Sequence, residues 1–161
     1  LQNAHDEYSG MGTTLVLASI IDDAIFILNI GDSRAYAMKR RSIEQVTTDH
    51  SFVNLLVESG EITKEEAINH PKRNVITKAM GSERLIQPDI FRLRNRQYDY
   101  ILLASDGLTD VLREDSIHST VYQKNSSLQE RLDSLIRQAE ENASRDNISI
   151  CLADLKAGAK M

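Results

Sequence analysis

The segment that decides the fold spans residues 13–38 and has the sequence TTLVLASIIDDAIFILNIGDSRAYAM. Two β-rich apolar runs, Thr13–Ile21 and Ala24–Ile30, are separated only by Asp22-Asp23, which is the pattern of a β-hairpin. The turn sequence Gly31-Asp32 follows the second run at once. The segment therefore predicts two paired strands with an aspartate at the end of the second.

Further strands are predicted on both sides of a helical segment. Arg34–Met38 and Ser42–Val46 form a second hairpin pattern around a basic turn. Ile90–Leu93, Tyr100–Ala104 and Ile148–Leu152 are short β-rich runs that predict three more strands.

Residues 50–80 have a different pattern and predict helices outside the sheets. Phe52–Glu58 is a short amphipathic run that should end at Gly60. A capping box at Thr63–Glu66 opens a second helix, which should stop before Pro71.

A longer helix is predicted after a second capping box, Ser127–Glu130. Its apolar residues recur at spacings of three and four, as on one face of a helix. They are Leu128, Leu132, Leu135, Ile136, Ala139 and Ala143. Strands thus precede and follow the helices, and we expect one domain of the α+β class.

Composition excludes several functional classes. A chain of 161 residues is the size of one domain. Its net charge of −5 argues against nucleic-acid binding, and no apolar run reaches the roughly 20 residues that a membrane helix needs. The single cysteine, Cys151, allows no internal disulfide and favours a cytoplasmic protein. The chain begins with Leu1 rather than methionine, so we expect a fragment.

Three aspartates lie beside predicted strands: Asp32, Asp106 and Asp146. If they converge, their oxygen ligands would favour a hard cation such as Mg²⁺, Mn²⁺ or Ca²⁺. Any one of them taken alone is better explained as a turn residue at the end of a strand, since Asp-Gly and Asp-Asn are common turn dipeptides. The pattern favours a metal-dependent hydrolase without proving that the three meet.

Six short motifs, in this order, resemble those of the type 2C (PPM) metal-dependent serine/threonine protein phosphatases, in their compact bacterial branch. They are Gly10–Thr14, Gly31–Tyr36, Asp49–Ser51, His70–Asn74, Leu102–Asp110 and Arg145–Ser149. The resemblance implies a four-layer β-sandwich flanked by helices (α-β-β-α), here truncated at the N-terminus. It further implies a partial phosphatase domain over residues 1–155, with a flap at about 50–80 and a tail at 156–161.

The resemblance also implies the chemistry. Asp106 and Asp146 are similar to ligands of the second catalytic metal, and Asp32 to a ligand of a possible third. Water activated by two Mg²⁺ or Mn²⁺ ions would hydrolyse phosphoserine and phosphothreonine, with no catalytic side chain. The expected partners are phosphorylated proteins, including a serine/threonine kinase, and neither nucleic acid nor membrane.

Two features of the family's pattern are missing. An upstream Asp-Gly-Met-Gly-Gly motif, whose aspartate bridges the catalytic metals, and an N-terminal arginine that holds phosphate have no counterpart in the sequence. We therefore expect residues 1–161 to be inactive alone. The alternative is a non-catalytic metal- or protein-binding domain of the same fold. A calcium-binding structural domain is disfavoured, because no EF-hand loop is present.

Other polar residues receive structural interpretations. Arg34 is expected in a salt bridge at least as readily as on phosphate. His50 and His70 are expected as surface or capping residues, and Cys151 as a buried thiol. Gly107 is expected to let the chain turn sharply after Asp106.

Overall fold

The computed structural model describes residues 10–82 and 85–157. Its strands are β1 Leu15–Ile21, β2 Ala24–Ile30, β3 Arg34–Lys39, β4 Ser42–Gln45, β5 Asp89–Arg94, β6 Tyr100–Ala104 and β7 Ile150–Asp154. Its helices are α1 Phe52–Glu58, α2 Lys64–Ile68, α3 Asp106–Thr109, α4 Glu114–Val121 and α5 Leu128–Glu141.

The strands form two antiparallel sheets. One has the order β1-β2-β5 and the other the order β4-β3-β6-β7. Both predicted hairpins are present: Ile21 pairs with Ala24 across the first turn, and Lys39 pairs with Ser42 across the second. Asp22 adopts a φ of 52° in the first turn, a conformation that aspartate tolerates better than most residues. The predicted α+β class is confirmed.

Side chains that alternate in direction along β3 contribute to two separate hydrophobic cores. Ala35 and Ala37 of β3 face the three-stranded sheet, where they pack with Ile25 and Ile27. Tyr36 of the same strand faces the other side, toward the helices. This is the expected consequence of successive side chains pointing to opposite faces of a strand. The four-stranded sheet is therefore the middle layer.

Helices α4 and α5 cover the outer face of the middle layer. Ile117, Val121 and Leu135 are fully buried there. On the far side of the molecule, Leu17 and Ile90 lie in register with Leu28 on the outer face of the three-stranded sheet. Those two side chains are 45% and 66% exposed. The described residues thus contain three layers of the sandwich, with helices over one sheet.

The predicted helical segment at 50–80 projects from the sandwich through a short neck. Ser51 and Ile76 form an isolated antiparallel bridge, and the amide of Phe52 donates to the carbonyl of Val75. Between them lie α1 and α2, in which no described residue is buried. Both boundaries expected from the sequence are present, since Gly60 has a φ of +76° and Thr63 forms its capping box. Residues 51–76 are called the flap below.

Several local predictions are wrong. The last strand begins at Ile150, two residues later than expected, and α5 ends at Glu141, before Ala143. Helices α3 and α4 were not predicted. Cys151 is exposed rather than buried, because among the described strands β7 is an edge strand that pairs with β6 alone. Lys156, at the start of the expected tail, pairs with Asp99, and residues 158–161 lie outside the described residues.

Within the described residues, no helix has both the length and the apolar character to cross a membrane.

Candidate metal centre

The sheet register brings the three predicted aspartates to one end of the sandwich. Arg34, two residues after Asp32, pairs with Ala104, and Ala104 pairs with Ile150 on its other side. The start of β3, the end of β6 and the start of β7 therefore lie next to one another. Asp106 is the second residue after β6, and Asp146 lies four residues before β7.

Asp106 is the central member of the group. Together with Asp32 it lines a cleft of about 710 Å³ between the sandwich and the flap. Together with Asp146 it lines an adjoining smaller cleft. Asp110, four residues after Asp106, lines both clefts. The sequence analysis missed it, although a spacing of four residues on a helix is the signal that places two side chains on one face.

Burial and mutual repulsion perturb two of these carboxyl groups. Burial, with a further contribution from the charge of Asp106, raises the pKa of Asp32 from 3.8 to about 6. Burial also raises the pKa of Asp106, and the neighbouring charge of Asp146 adds to the effect. Both effects disfavour the ionised carboxylate. A cation placed between these groups would remove the repulsion that the folded chain imposes on them.

Ser105 holds the loop of Asp146 against the start of α3. Its hydroxyl donates to the carbonyl of Asn147 at 3.1 Å and accepts from the amide of Ser149 at 3.0 Å. The amide of Ser105 also donates to the carbonyl of Ser149 at 2.9 Å. The hydroxyl is thereby engaged on both sides, so Ser105 is a positioning residue rather than a nucleophile.

Gly107 permits the close approach of the same loop. A Cβ atom at this position would lie 2.5 Å from the carbonyl oxygen of Asn147. The expectation of a sharp turn is wrong, because Gly107 lies inside α3 and does not have a positive φ. Glycine is required here for space, so that the backbone of Asp146 and Asn147 can pack against the start of α3.

Arg34 anchors the chain just before the flap. Its guanidinium binds Asp49 through Nε at 2.9 Å and Nη2 at 2.6 Å, both to Oδ2. Gln45 donates to the other carboxylate oxygen of Asp49 at 2.9 Å. Both charged side chains are largely buried, with 27% and 14% exposed. The expected salt bridge is confirmed, and because the fork of Arg34 is occupied by Asp49 it is not free to hold phosphate.

Of the two roles expected for His50, surface or capping, the surface role is wrong. Only 12% of its side chain is exposed. Its Nδ1 accepts from the amide of Gly31 at 3.0 Å, and its own amide donates to the carbonyl of Gly31 at 3.0 Å. Its Nε2 lies 3.3 Å from a carboxylate oxygen of Asp89. His50 therefore connects the first residue of the Asp32 loop to strand β5 and to the base of the flap.

The donor set suits a hard divalent cation. The side chains that meet at this end are carboxylates, and oxygen ligands are those that Mg²⁺ and Mn²⁺ prefer. The set is incomplete, however: in residues 10–82 and 85–157, no three His, Cys, Asp or Glu side chains are close enough together to hold a metal ion. The role of Asp32, Asp106 and Asp146 as metal ligands stays a prediction.

Comparison with known proteins agrees with the fold and with the motifs. A sequence profile described as "Protein phosphatase 2C" matches residues 1–153. The chain is 38% identical over 148 residues to the serine/threonine phosphatase stp of Listeria welshimeri, covering 92% of this chain and 58% of that relative.

Solved structures give the same result. The serine/threonine phosphatase Stp1 from Staphylococcus aureus superposes with a TM-score of 0.90 at 46% identity, over 94% of this chain and 59% of that one. The catalytic domain of the serine/threonine protein phosphatase PstP, in complex with two manganese ions, gives a TM-score of 0.80 at 29% identity, over 95% of this chain and 63% of that one. The chain thus spans about three fifths of the length of these relatives. It belongs to the protein phosphatase 2C family.

Proposed function

We propose that the whole protein hydrolyses phosphoserine and phosphothreonine in proteins with the help of Mg²⁺ or Mn²⁺. The observation that carries this proposal is the position of Asp106, which shares one cleft with Asp32 and the next with Asp146. The raised pKa of Asp106, caused by burial and then by Asp146, supports a centre where carboxylates are crowded. Such crowding is typical of sites that hold cations or transfer protons.

The chain's own residues would have two tasks in this reaction. Asp106, Asp146 and Asp32 would hold the divalent ions, with Asp110 beside them. Ser105 and Gly107 would keep the Asp146 loop against Asp106. Bound ions of this kind lower the pKa of water and neutralise charge on a phosphoryl group.

The finer parts of the proposal follow from the resemblance. We propose two catalytic ions and a possible third, phosphorylated proteins including a serine/threonine kinase as substrates, and a role in reversing kinase signalling. Residues 1–161 alone are expected to be nearly inactive, because the metal-bridging aspartate of the family has no match in this sequence. The cytoplasmic location suggested by the single cysteine stays a prediction.

A second candidate is a metal- or protein-binding domain without hydrolytic activity. One observation favours it, namely that the described part of the chain contains no group of three potential metal-ligating side chains. The two candidates differ in whether turnover depends on both manganese and Asp146.

The test is a manganese-dependent phosphatase assay of the whole protein and of residues 1–161, at equal concentration, on a phosphothreonine peptide. Asp146→Asn in the whole protein should lower kcat/KM at least about a hundredfold, or ~2.7 kcal/mol. Asp133→Asn is the matched control, since this exposed aspartate lies on α5, and it should leave turnover unchanged. Asp146-dependent turnover by residues 1–161 would show that the inactivity proposal is wrong. Absence of turnover from the whole protein would favour the second candidate.

A further inference from the structure

The cleft that contains Asp32 and Asp106 has two chemically different walls. The sandwich side carries carboxylates, namely Asp32, Asp106 and Asp110. On the flap side, beside the polar residues Asn54 and Lys64, the cleft is lined by four apolar residues, Val53 and Val57 of α1 and Ala67 and Ile68 of α2. These four flap residues are called the apolar wall below.

Packing within the flap leaves the apolar wall partly open to the cleft. Val53 and Val57 are four residues apart and so occupy one face of α1. Ile68 is 64% exposed, and in the described structure α1 and α2 contain no buried residue. Apolar side chains lining a cleft beside polar groups are typical of ligand sites, where they bind the ligand's apolar part while the polar groups fix its orientation.

The occupant is indicated by what else lines the cleft. The wall shares one continuous cleft with the carboxylates of the candidate metal centre. Lys64 and Arg113 also line it and would favour a ligand that carries phosphate. The cleft, at about 710 Å³, is within the range of pockets that hold drug-sized ligands and therefore has room for more than a phosphate group. A phosphorylated peptide with an apolar side chain near the phosphate matches both walls.

We propose that the apolar wall selects phosphorylated segments that carry an apolar residue close to the phosphoserine or phosphothreonine. This inference rests on the proposed function, because it assumes that the phosphate is directed to the carboxylate side of the cleft. The wall then distinguishes peptides by affinity. An apolar side chain of the peptide contacts Val57 and Ile68, whereas a polar side chain at the same position loses its hydrogen bonds to water and finds no new partner.

The size of the preference follows from partial burial. Buried apolar area strengthens binding, and an open wall buries roughly half of a leucine side chain. A leucine in the favoured register should therefore tighten binding about five- to tenfold over serine.

The experiment uses fluorescein-labelled phosphothreonine peptides in a serine–glycine background, with one leucine moved through the positions flanking the phosphate. Dissociation constants for the whole protein are measured by fluorescence anisotropy with Mn²⁺ present, with a nonhydrolysable phosphonate in place of the phosphate of each peptide. We expect one register, or two adjacent ones, to bind five- to tenfold more tightly than the peptide without leucine. Ile68→Lys should abolish this preference while retaining binding of the leucine-free peptide.

Leu55→Lys is the matched control, because Leu55 is also a flap residue, is 51% exposed and lies outside the described residues that line the cleft. It should keep the full preference. Val57→Thr, which is close in shape, should reduce the preference without unfolding the flap, and thermal unfolding checks all three variants. Equal binding of all peptides, a preference that survives Ile68→Lys, or no peptide binding at all would overturn the inference. The proposed function is judged separately, by the Asp146-dependent turnover of the whole protein.

Discussion

The sandwich and the flap are built on opposite principles. In the sandwich, Ile25, Ile27, Leu102 and Leu135 are completely buried, and apolar burial supplies the stability. In the flap, α1 and α2 contain no buried residue among those described. The Ser51 cap of α1, the capping box of α2, short turns and the two bridged residue pairs at the neck hold the flap in shape. The comparison shows that one chain can combine a rigid support for the carboxylates with a lightly held element facing them.

Polar contacts connect the two regions. His50 binds Gly31 through its side chain and its backbone, and Arg34 binds Asp49 just before the flap begins. Elements with few buried contacts are those that open at the lowest free energy. We therefore expect the flap to open locally while its base stays attached to the sandwich.

The largest effect on stability should come from shortening a side chain in the core. Leu102→Ala removes a completely buried side chain between the middle sheet and the helices and should lower the free energy of unfolding by about 2–5 kcal/mol. Leu55→Ala, at a flap residue that is 51% exposed, should change it by less than about 0.5 kcal/mol. Urea unfolding of both variants measures the difference. A similar loss of unfolding free energy in both variants would show that the flap unfolds cooperatively with the core.

A smaller effect is expected at the candidate metal centre, on the sandwich side of the cleft. Gly107→Ala places a Cβ atom 2.5 Å from the carbonyl oxygen of Asn147 and should cost about 1–3 kcal/mol, since backbone must move. Gly12→Ala is the matched control, because its nearest contact would be 3.5 Å. Amide chemical shifts should change around Asp146 in the first variant and remain unchanged there in the second. Unaltered shifts around Asp146 in Gly107→Ala would contradict the close approach described above.

The carboxylates that face the flap predict a pH dependence. The pKa of Asp32 is raised to about 6 by burial and by Asp106, so the folded chain binds this proton more tightly than the unfolded chain. Stability should therefore fall as pH rises from about 4 to about 6 and then level off. Asp32→Asn should remove this part of the slope, which we estimate at roughly 1 kcal/mol after allowing for solvent screening. Unfolding is measured in urea from pH 4 to pH 7, with Asp133→Asn as control. If stability depends on pH equally in the wild type and in Asp32→Asn, the assignment of this pH dependence to Asp32 is wrong.

The smallest effects should come from the two capping boxes, which have the same chemistry in the two regions. Ser127→Ala removes the cap of α5, a helix with buried Leu135, and should lower global stability by about 1 kcal/mol. Thr63→Ala removes the cap of α2 and should leave global stability within about 0.5 kcal/mol while raising amide exchange in the flap. Urea unfolding measures the global stability of both variants, and amide hydrogen exchange measures the local opening of the flap. A global loss in Thr63→Ala would mean that the flap does not open independently.

Local patterns in the sequence predicted most elements well. Both hairpins, α1, both capping boxes and strand β6 lie where the pattern placed them, because turn chemistry, caps and periodicity act over a few residues. Helix α4 was missed, because Glu114–Val121 is short and polar. Its signals, an acidic first turn and the pair Ile117 and Val121, become informative only once the sheet beneath them is known.

The sequence by itself determined the α+β class, the likeness to protein phosphatase 2C and the three aspartates beside strands. Only the tertiary structure decided that Asp106 shares one cleft with Asp32 and another with Asp146. It also decided that His50 is largely buried and bonded to Gly31, that Cys151 is exposed, and that Asp110 and the apolar wall share a cleft. The physical reason is that these properties depend on which strands are neighbours and which element covers which. Contacts between residues far apart in the chain settle both, and such contacts leave no periodic trace in a single sequence.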